Sequence, residues 1–262
     1  MLGAIAGDVI GSVHEWAGTK TKDFPLLVRE STFTDDSVHT VAVADWILSE
    51  RDLTDTLIAY TRDYPGRGYG GMFAEWARSG RREPYGSYGN GSAMRASPVG
   101  FAFDELDEVL DRAERSAAVT HDHPEGVRGA QATAAAIYWA RRTRDRDVIR
   151  SEIEKCFGYD LSASLDEVRP SYRFNETCQG TVPYALIAFL ESTSFEDAIR
   201  NSISLGGDAD TLACIAGGVA EAYYGGVPSH IADPVRRLLD PRLLDVVDRF
   251  RERFVGPVRM DG

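Results

Sequence analysis

Apolar residues recur along this chain at the spacing of amphipathic helices. In residues 36–48, for example, Val38, Val41 and Ala44 fall on one helical face. Further apolar runs predict helices over residues 104–119, 127–141, 181–190, 195–203, 209–224 and 241–254, with Pro183 near a first turn, where proline is tolerated. The alternation of apolar and polar residues that marks half-buried strands hardly occurs. The pattern therefore predicts an all-α fold.

Two segments stand apart from this helical pattern. Residues 64–98 are dense in Gly, Tyr and Arg and are predicted to be irregular, and a loop of that length in a compact domain is usually functional. At the start of the chain, the small residues Gly3, Gly7 and Gly11 predict a helix that packs tightly against a neighbour. No repeat or linker interrupts the sequence, so we expect a single domain over residues 1–262.

The composition is that of a globular protein with a substantial core. The chain has 262 residues, of which 43% are hydrophobic and 27% are charged. Its formal net charge of −12 lacks the electrostatic footprint of a general nucleic-acid binder. No apolar run approaches the roughly 18 residues of a membrane helix, and no signal peptide opens the chain. We therefore expect a cytoplasmic protein with no membrane partner.

The three cysteines indicate no disulfide framework and no zinc ribbon. Cys156, Cys178 and Cys214 are odd in number and far apart in sequence. The simplest interpretation is that all three are buried thiols in a reducing compartment.

Two predicted helices, far apart in sequence, begin with the same kind of motif. Each motif carries two carboxylates and one hydroxyl: Thr34, Asp35 and Asp36 in the first, and Asp208, Asp210 and Thr211 in the second. Taken singly, each is typical of a helix N-cap, where side-chain oxygens accept backbone N–H bonds and negative charge offsets the helix dipole.

The pair of motifs also supports a second interpretation. If the two helix ends meet, four carboxylates crowd together and repel one another strongly. Protonation or bound cations would relieve that repulsion. Because carboxylate and hydroxyl oxygens are the ligands of hard cations such as Mg²⁺, the two motifs together indicate a divalent metal site.

Three further motifs carry polar groups suited to ligands. A loop of Ser87, Tyr88, Gly89, Asn90 and Gly91 leads into a helix and can offer backbone N–H groups to a phosphate, although an ordinary turn has the same composition. His121 and His123 flank Asp122 and suit a metal, a ligand contact or a helix cap. Asp8 and Glu15 are the polar exceptions in the glycine-rich N-terminal segment.

Taken in order, these motifs resemble the ADP-ribosylglycohydrolase family. The similarity runs from residues 3–8, through 33–36, 88–91 and 120–121, to 206–211, and so covers most of the chain. Each motif is weakly specific alone, whereas five in the family's order are strongly specific. The segments 67–70 and 176–183 look like a bacterial branch of that family.

The resemblance implies a compact, all-α orthogonal bundle with a cleft that holds two Mg²⁺ ions, or Mn²⁺ in their place. By the matching motifs, the metal ligands would be Thr34, Asp35, Asp36, Asp208, Asp210 and Thr211. The substrate contacts would be Ser87, Tyr88, Gly89, Asn90, Gly91 and His121. Glu15 falls where members that act on serine carry a metal-associated, gating glutamate, whereas arginine-directed members differ in this region.

The reaction that the resemblance implies is magnesium-dependent hydrolysis of the glycosidic bond linking ADP-ribose to an acceptor, such as arginine, serine or another ADP-ribosylated molecule. Asp35 is the first candidate for the carboxylate that handles a proton or the ribose, and Glu15 is the second. Two alternatives keep the pocket without the chemistry: a module that only binds ADP-ribose, and a structural relative, since the resemblance extends to a crystallin. A third alternative uses the same carboxylates on a phosphate ester. The motifs leave the acceptor and the oligomeric state open.

Overall fold

Helices make up the regular structure of this protein. The structure is a computed structural model that describes residues 1–256. Its helices are α1 (Leu2–Gly11), α2 (Asp35–Ser49), α3 (Leu53–Asp63), α4 (Gly71–Ser79), α5 (Gly91–Met94), α6 (Ser97–Ala102), α7 (Leu106–Ala118), α8 (Pro124–Thr143), α9 (Arg146–Phe157), α10 (Leu165–Val168), α11 (Cys178–Leu190), α12 (Phe195–Ile203), α13 (Ala209–Tyr224), α14 (Ser229–Leu238), α15 (Pro241–Phe250) and a π-helical turn (Arg251–Val255). Within residues 1–256 the single β-type pairing is an isolated bridge between Gly89 and Thr177. The all-α prediction is confirmed.

The helices predicted from apolar spacing are present with similar limits. The ranges 195–203 and 209–224 coincide with α12 and α13, and 36–48 falls inside α2. The range 241–254 overruns α15, which gives way to the π-helical turn after Phe250. In the part of the chain that is described, none of the helices is both long and apolar enough to cross a membrane.

Two predictions about the middle of the chain are wrong. Residues 64–98 are not one irregular stretch, because α4, α5 and the start of α6 lie within them. Pro183 is not in a first turn but inside α11, because that helix already begins at Cys178, after the Thr177 hydroxyl accepts a capping bond from the Gly180 backbone. The apolar pattern also missed α3, α9 and α14. These helices bury between two and four side chains each, so their apolar faces are narrow.

Helix α1 is buried along its whole length and lies in backbone contact with α13. A Cβ atom on Gly7 would lie 1.9 Å from the carbonyl oxygen of Ala213, and one on Gly11 would lie 2.5 Å from the Cα atom of Asp210. Only glycine allows two helices to approach this closely. The tight packing expected of the N-terminal glycines is therefore present, and it sets Asp8 beside the first turn of α13.

Replacing Gly7 with alanine is expected to lower the free energy of unfolding by about 3 kcal/mol, the upper end of the usual cost of overpacking a core. The added methyl group collides with backbone atoms, which cannot rotate away as a side chain can. Denaturant titration measures the change. The matched control is Gly71→Ala at the start of α4, where nothing lies within 4 Å of the new methyl group. Equal stabilities of the two variants would contradict this account of the α1–α13 contact.

The cysteines differ in exposure. Cys178 and Cys214 are buried, but Cys156 is exposed on α9, so the prediction of three buried thiols is wrong for that residue. Cys156 lies on the same face of α9 as the buried Ile149 and Ile153, but in the last turn of the helix, where its side chain is exposed. Burial raises the pKa of the Cys178 thiol to about 12, so this group stays protonated at neutral pH.

Candidate functional site

The two acidic motifs meet at one end of the bundle, although 175 residues separate Asp36 from Thr211. The Thr211 hydroxyl donates a hydrogen bond to Asp36 Oδ2, with 3.4 Å between the oxygen atoms. Asp36 and Asp210 both lie in the first turns of their helices, α2 and α13, and both are buried. Gly11, at the end of α1, packs against Asp210. Three helix ends therefore converge on one point.

Asp8, to which the sequence assigned no role, lies at the centre of this convergence. It is fully buried on α1. Its carboxylate accepts hydrogen bonds from the Thr34 backbone at 3.0 Å, the Thr34 hydroxyl at 2.6 Å, the Ser37 backbone at 3.0 Å and the Ser37 hydroxyl. These four donors hold α1 against the first turn of α2. A carboxylate in an otherwise apolar helix was the available sequence signal.

The capping interpretation holds for the first motif and fails for the second. The Thr34 hydroxyl oxygen accepts the capping bond from the Asp36 backbone at 3.3 Å, so Thr34 is the N-cap of α2. Asp208 is the N-cap residue of α13, yet its side chain makes no capping bond. Instead, Asp208 Oδ2 accepts a hydrogen bond from Asn90 Nδ2 at 2.7 Å. The Asp208 carboxylate thus faces the loop of residues 87–91, which we call the Gly/Asn turn, rather than its own helix.

Carboxylate oxygens lie close enough here to share a cation. Asp8, Asp36 and Asp210 each offer one oxygen, and these atoms lie within 4.8 Å of one another. Glu15, Asp208 and Asp210 form a second group of the same kind. Asp36 Oδ1 is buried and has no hydrogen-bond partner within residues 1–256. An orphaned carboxylate oxygen is costly to bury, and a hard cation is the partner that fits this set of oxygen donors.

Burial and mutual repulsion raise the pKa of the clustered carboxyl groups. The pKa of Asp36 lies well above its usual value because the group is buried and faces Asp8 and Asp35. The pKa of Asp210 is raised in the same way, by burial and by Asp208 and Asp36. A cluster of this kind binds either protons or a cation, because each removes the repulsion between its negative charges.

Asp35 and Glu15 line the same cleft as the clustered carboxylates Asp36, Asp208 and Asp210. Burial, and then repulsion from Asp8, raises the pKa of Asp35 well above its usual value. Glu15 is half-buried, and burial followed by repulsion from Asp208 raises its pKa to about 7. Glu15 can therefore hold a proton near neutral pH, which an ordinary exposed carboxyl group does not.

The Gly/Asn turn forms the opposite wall of the cleft. Ser87, Gly89, Asn90 and Gly91 line it together with His121. Asn90 fixes the turn, because its backbone N–H donates to the Glu176 carbonyl at 2.7 Å while its side chain donates to Asp208. The structure therefore brings both acidic motifs, Glu15, His121 and most of the turn to one cleft.

Tyr88 and Thr34 are the predicted site residues whose side chains are not among those lining the cleft. The Tyr88 side chain is 48% exposed, and its ring lies 5.2 Å from that of His123, measured between centroids. Its backbone carbonyl accepts a hydrogen bond from the Cys178 backbone at 2.9 Å. The Thr34 hydroxyl is occupied by Asp8 and by the capping bond described above.

Several cleft residues were not predicted. His39, Arg95 and Glu176 all line the cleft. His39 follows Asp35 by four residues in α2, a spacing that places both on one helical face, so a signal for it existed. Arg95 had none, because arginine is rarely buried and this side chain is fully so. Glu176 reaches the site through the pairing of its loop with the Gly/Asn turn, a contact that no local pattern expresses.

Comparison with known proteins extends these observations. A family model described as ADP-ribosylglycohydrolase matches residues 1–258. ADP-ribosylhydrolase ARH3 of Xenopus tropicalis is 28% identical over 86% of this chain and 86% of its own length. ADP-ribosylarginine hydrolase Tri1 of Pseudomonas putida (strain GB-1) is 24% identical over 90% of this chain and 72% of its own. A solved structure described as an ADP-ribosylglycohydrolase-related protein complex shares the fold, with a TM-score of 0.67 and 23% identity over 96% of both chains.

Proposed function

The chain belongs to the ADP-ribosylglycohydrolase family, and from this premise we propose that it is a magnesium-dependent hydrolase that cleaves the glycosidic bond between ADP-ribose and an acceptor. The resemblance drawn from five motifs is confirmed, and with it the class of glycosidase-type hydrolase. The observation that carries the rest of the proposal is the meeting of the two acidic motifs beside the Gly/Asn turn, with Asn90 joining them through Asp208.

The oxygen donors at this point suit a pair of divalent cations. We assign as ligands the residues that the motifs imply: Thr34, Asp35, Asp36, Asp208, Asp210 and Thr211. The Asp8 carboxylate belongs to the same cluster, and it holds Thr34 in place by accepting a hydrogen bond from the Thr34 hydroxyl. The two groups of close carboxylates share Asp210, which favours two neighbouring ions over one. Mg²⁺, or Mn²⁺ in its place, would supply positive charge that neutralises the cluster and holds the ribose hydroxyls.

The Gly/Asn turn would hold the part of the substrate remote from the reacting bond. Ser87, Tyr88, Gly89, Asn90 and Gly91 would contact the diphosphate and the distal ribose, with Tyr88 contributing its backbone, and His121 would add a side-chain contact. Binding energy from these groups would place the anomeric carbon of the distal ribose beside the acidic cluster.

Asp35 and Glu15 would handle protons and charge at the reacting bond. Glycoside cleavage passes through an oxocarbenium-like state, which a nearby carboxylate stabilises. The departing acceptor takes up a proton, and water adds to the anomeric carbon and gives up a proton in its turn. Asp35 is the first candidate for the carboxylate that faces the ribose and exchanges this proton. Glu15 is the second, because a pKa of about 7 lets it be either donor or acceptor at neutral pH.

A relative that binds ADP-ribose without cleaving it, or serves only a structural role, would use the same fold. The intact pair of motifs weighs against this alternative, because a degenerate site has no need of buried carboxylates that repel one another. Incubation separates the two, since a binding module retains its ligand and forms no product.

The decisive assay is release of free ADP-ribose from arginine-linked, serine-linked and nucleic-acid-linked substrates, in Mg²⁺ and in EDTA. We expect Mg²⁺-dependent release from at least one linkage, which then names the acceptor. Wild-type protein with Asp210→Asn as the inactive control excludes a contaminating hydrolase. Tight binding of ADP-ribose without release from any substrate would favour the non-catalytic alternative, and release that EDTA leaves unchanged would contradict the metal assignment.

A further inference from the structure

Arg95 lies beneath the cleft as a fully buried cation, directly after the short helix α5. Its Nη2 atom donates to the Ser116 carbonyl at 2.8 Å and to the Thr120 hydroxyl at 2.9 Å. Burial lowers the pKa of Arg95 to about 10, which still leaves the guanidinium protonated at neutral pH. A protonated guanidinium has donors and no acceptor, so the Thr120 oxygen must accept from it.

The Thr120 hydroxyl links this cation to His121. The distance from Thr120 Oγ1 to His121 Nδ1 is 2.7 Å. Within residues 1–256, Arg95 and this ring nitrogen lie at hydrogen-bond distance from the hydroxyl, and the Tyr85 hydroxyl is a further side-chain neighbour of it. Arg95 accepts nothing, and the neutral Tyr85 phenol can itself donate to the Thr120 oxygen. The short contact of 2.7 Å therefore assigns the single hydroxyl proton to His121 Nδ1. A cation on the hydroxyl oxygen also strengthens its proton as a donor, because hydrogen bonds in a chain polarise one another.

An imidazole that accepts at Nδ1 carries its proton at Nε2. His121 is buried, and burial together with the nearby Arg95 holds its pKa well below the usual value, so the ring is neutral. Its Nε2 atom lies beside the Gly/Asn turn. A Cβ atom on Gly91 would lie 3.1 Å from it, and one on Gly89 would lie 3.6 Å from it. The ring therefore points an N–H group, rather than a lone pair, at the wall of the cleft.

We propose that Arg95 and Thr120 are positioning residues that hold His121 as the neutral Nε2–H tautomer, which donates a hydrogen bond to a phosphate oxygen of the bound ligand. The opposite tautomer would direct a lone pair at an anionic oxygen and repel it. A donor that stays neutral also keeps its function across the physiological pH range, whereas an ordinary histidine changes charge there. The phosphate half of this inference rests on the proposed function, and the tautomer half does not.

Nitrogen-15 spectra of the histidine rings test the tautomer directly, with no substrate present. Long-range proton–nitrogen correlations at neutral pH should show His121 with Nδ1 unprotonated and Nε2 protonated. Thr120→Val keeps the shape but removes the proton donor, and should shift the ring toward the other tautomer. Thr120→Ser should retain the wild-type pattern. His230, which is 61% exposed, is the internal control and should not change.

The wild-type spectrum decides the tautomer even if the valine variant fails to fold. A protonated Nδ1 in wild-type protein, or an unchanged Nε2–H tautomer in folded Thr120→Val, would overturn the proposed relay. The binding test compares ADP-ribose with adenosine by NMR titration, which also measures weak affinities. Thr120→Val should weaken ADP-ribose about tenfold or more, the effect of losing a hydrogen bond to a charged group, and leave adenosine unchanged.

Equal losses for ADP-ribose and adenosine would mean a merely structural role and overturn the phosphate contact. Failure of wild-type protein to bind ADP-ribose would overturn that contact and the proposed function together. The tautomer assignment would then depend on the nitrogen-15 spectrum alone. A failure of the proposed function is therefore distinguishable from a failure of the tautomer assignment.

Discussion

Replacing Asp36 with asparagine is expected to reduce magnesium-dependent turnover by at least about 100-fold while stabilising the metal-free protein. Turnover falls because a charged metal ligand is lost, and even residues that only orient such ligands are worth about 10–100-fold. Metal-free stability rises because one of several buried like charges disappears, and two charges 4 Å apart repel by about 4 kcal/mol at an effective dielectric of 20. The combination of lower turnover and higher metal-free stability distinguishes a metal ligand from a residue that only supports the fold.

Asp107→Asn is the matched control for this variant. Asp107 also lies in the first turn of a helix, α7, but it is exposed and outside the cluster. We expect it to change neither quantity. Rates of ADP-ribose release in Mg²⁺ and thermal unfolding in EDTA measure the two effects. If Asp36→Asn lost activity and metal-free stability together, the assignment of Asp36 as a ligand would be wrong.

In the absence of metal, the free energy of unfolding is expected to fall as the pH rises toward and beyond neutrality. The folded-state pKa values of Asp36 and Asp210 lie well above the ordinary value of 3.8, so folding favours their protonated forms. The stabilisation that comes from these protonated forms is fully present below the pKa of the unfolded state. It is lost as the pH rises through the pKa of the folded state. Because Glu15 in the same cluster has a pKa of about 7, the loss continues into the neutral range.

Mg²⁺ should reverse this loss at neutral pH. A ligand present at 100 times its dissociation constant stabilises the folded state by about 2.7 kcal/mol, which raises the melting temperature of a chain of this size by roughly 5–10 °C. Melting temperatures between pH 5 and 8, in EDTA and in Mg²⁺, measure both parts. The EDTA profile of Asp36→Asn should be flatter than that of wild-type protein. Parallel profiles for the two proteins would show that the clustered carboxyl groups do not carry the effect.

Much of the fold could be predicted because an amphipathic helix has a characteristic local pattern of apolar residues in the sequence. A helix with a wide apolar face repeats its buried residues every three or four positions, so α12 and α13 were predicted within their observed limits. A helix with a narrow apolar face has a weaker pattern, and α9, which buries only Ile149 and Ile153, was missed. The pair of acidic motifs was also visible in the sequence, because carboxylates and hydroxyls at the starts of two helices indicate a metal site by their residue types alone.

The sequence by itself thus determined the helical class, the family and the residue types available to a metal and an anion. Only the tertiary structure decided which of those side chains meet. Asp8 joined the cluster because glycines let α1 touch α13; the spacing of those glycines indicated a tight contact but did not indicate which helix would be the partner. Arg95 reached Thr120 and His121 through a buried chain of hydrogen bonds. Such contacts depend on the relative placement of whole helices, which the many weak interactions of the core fix together.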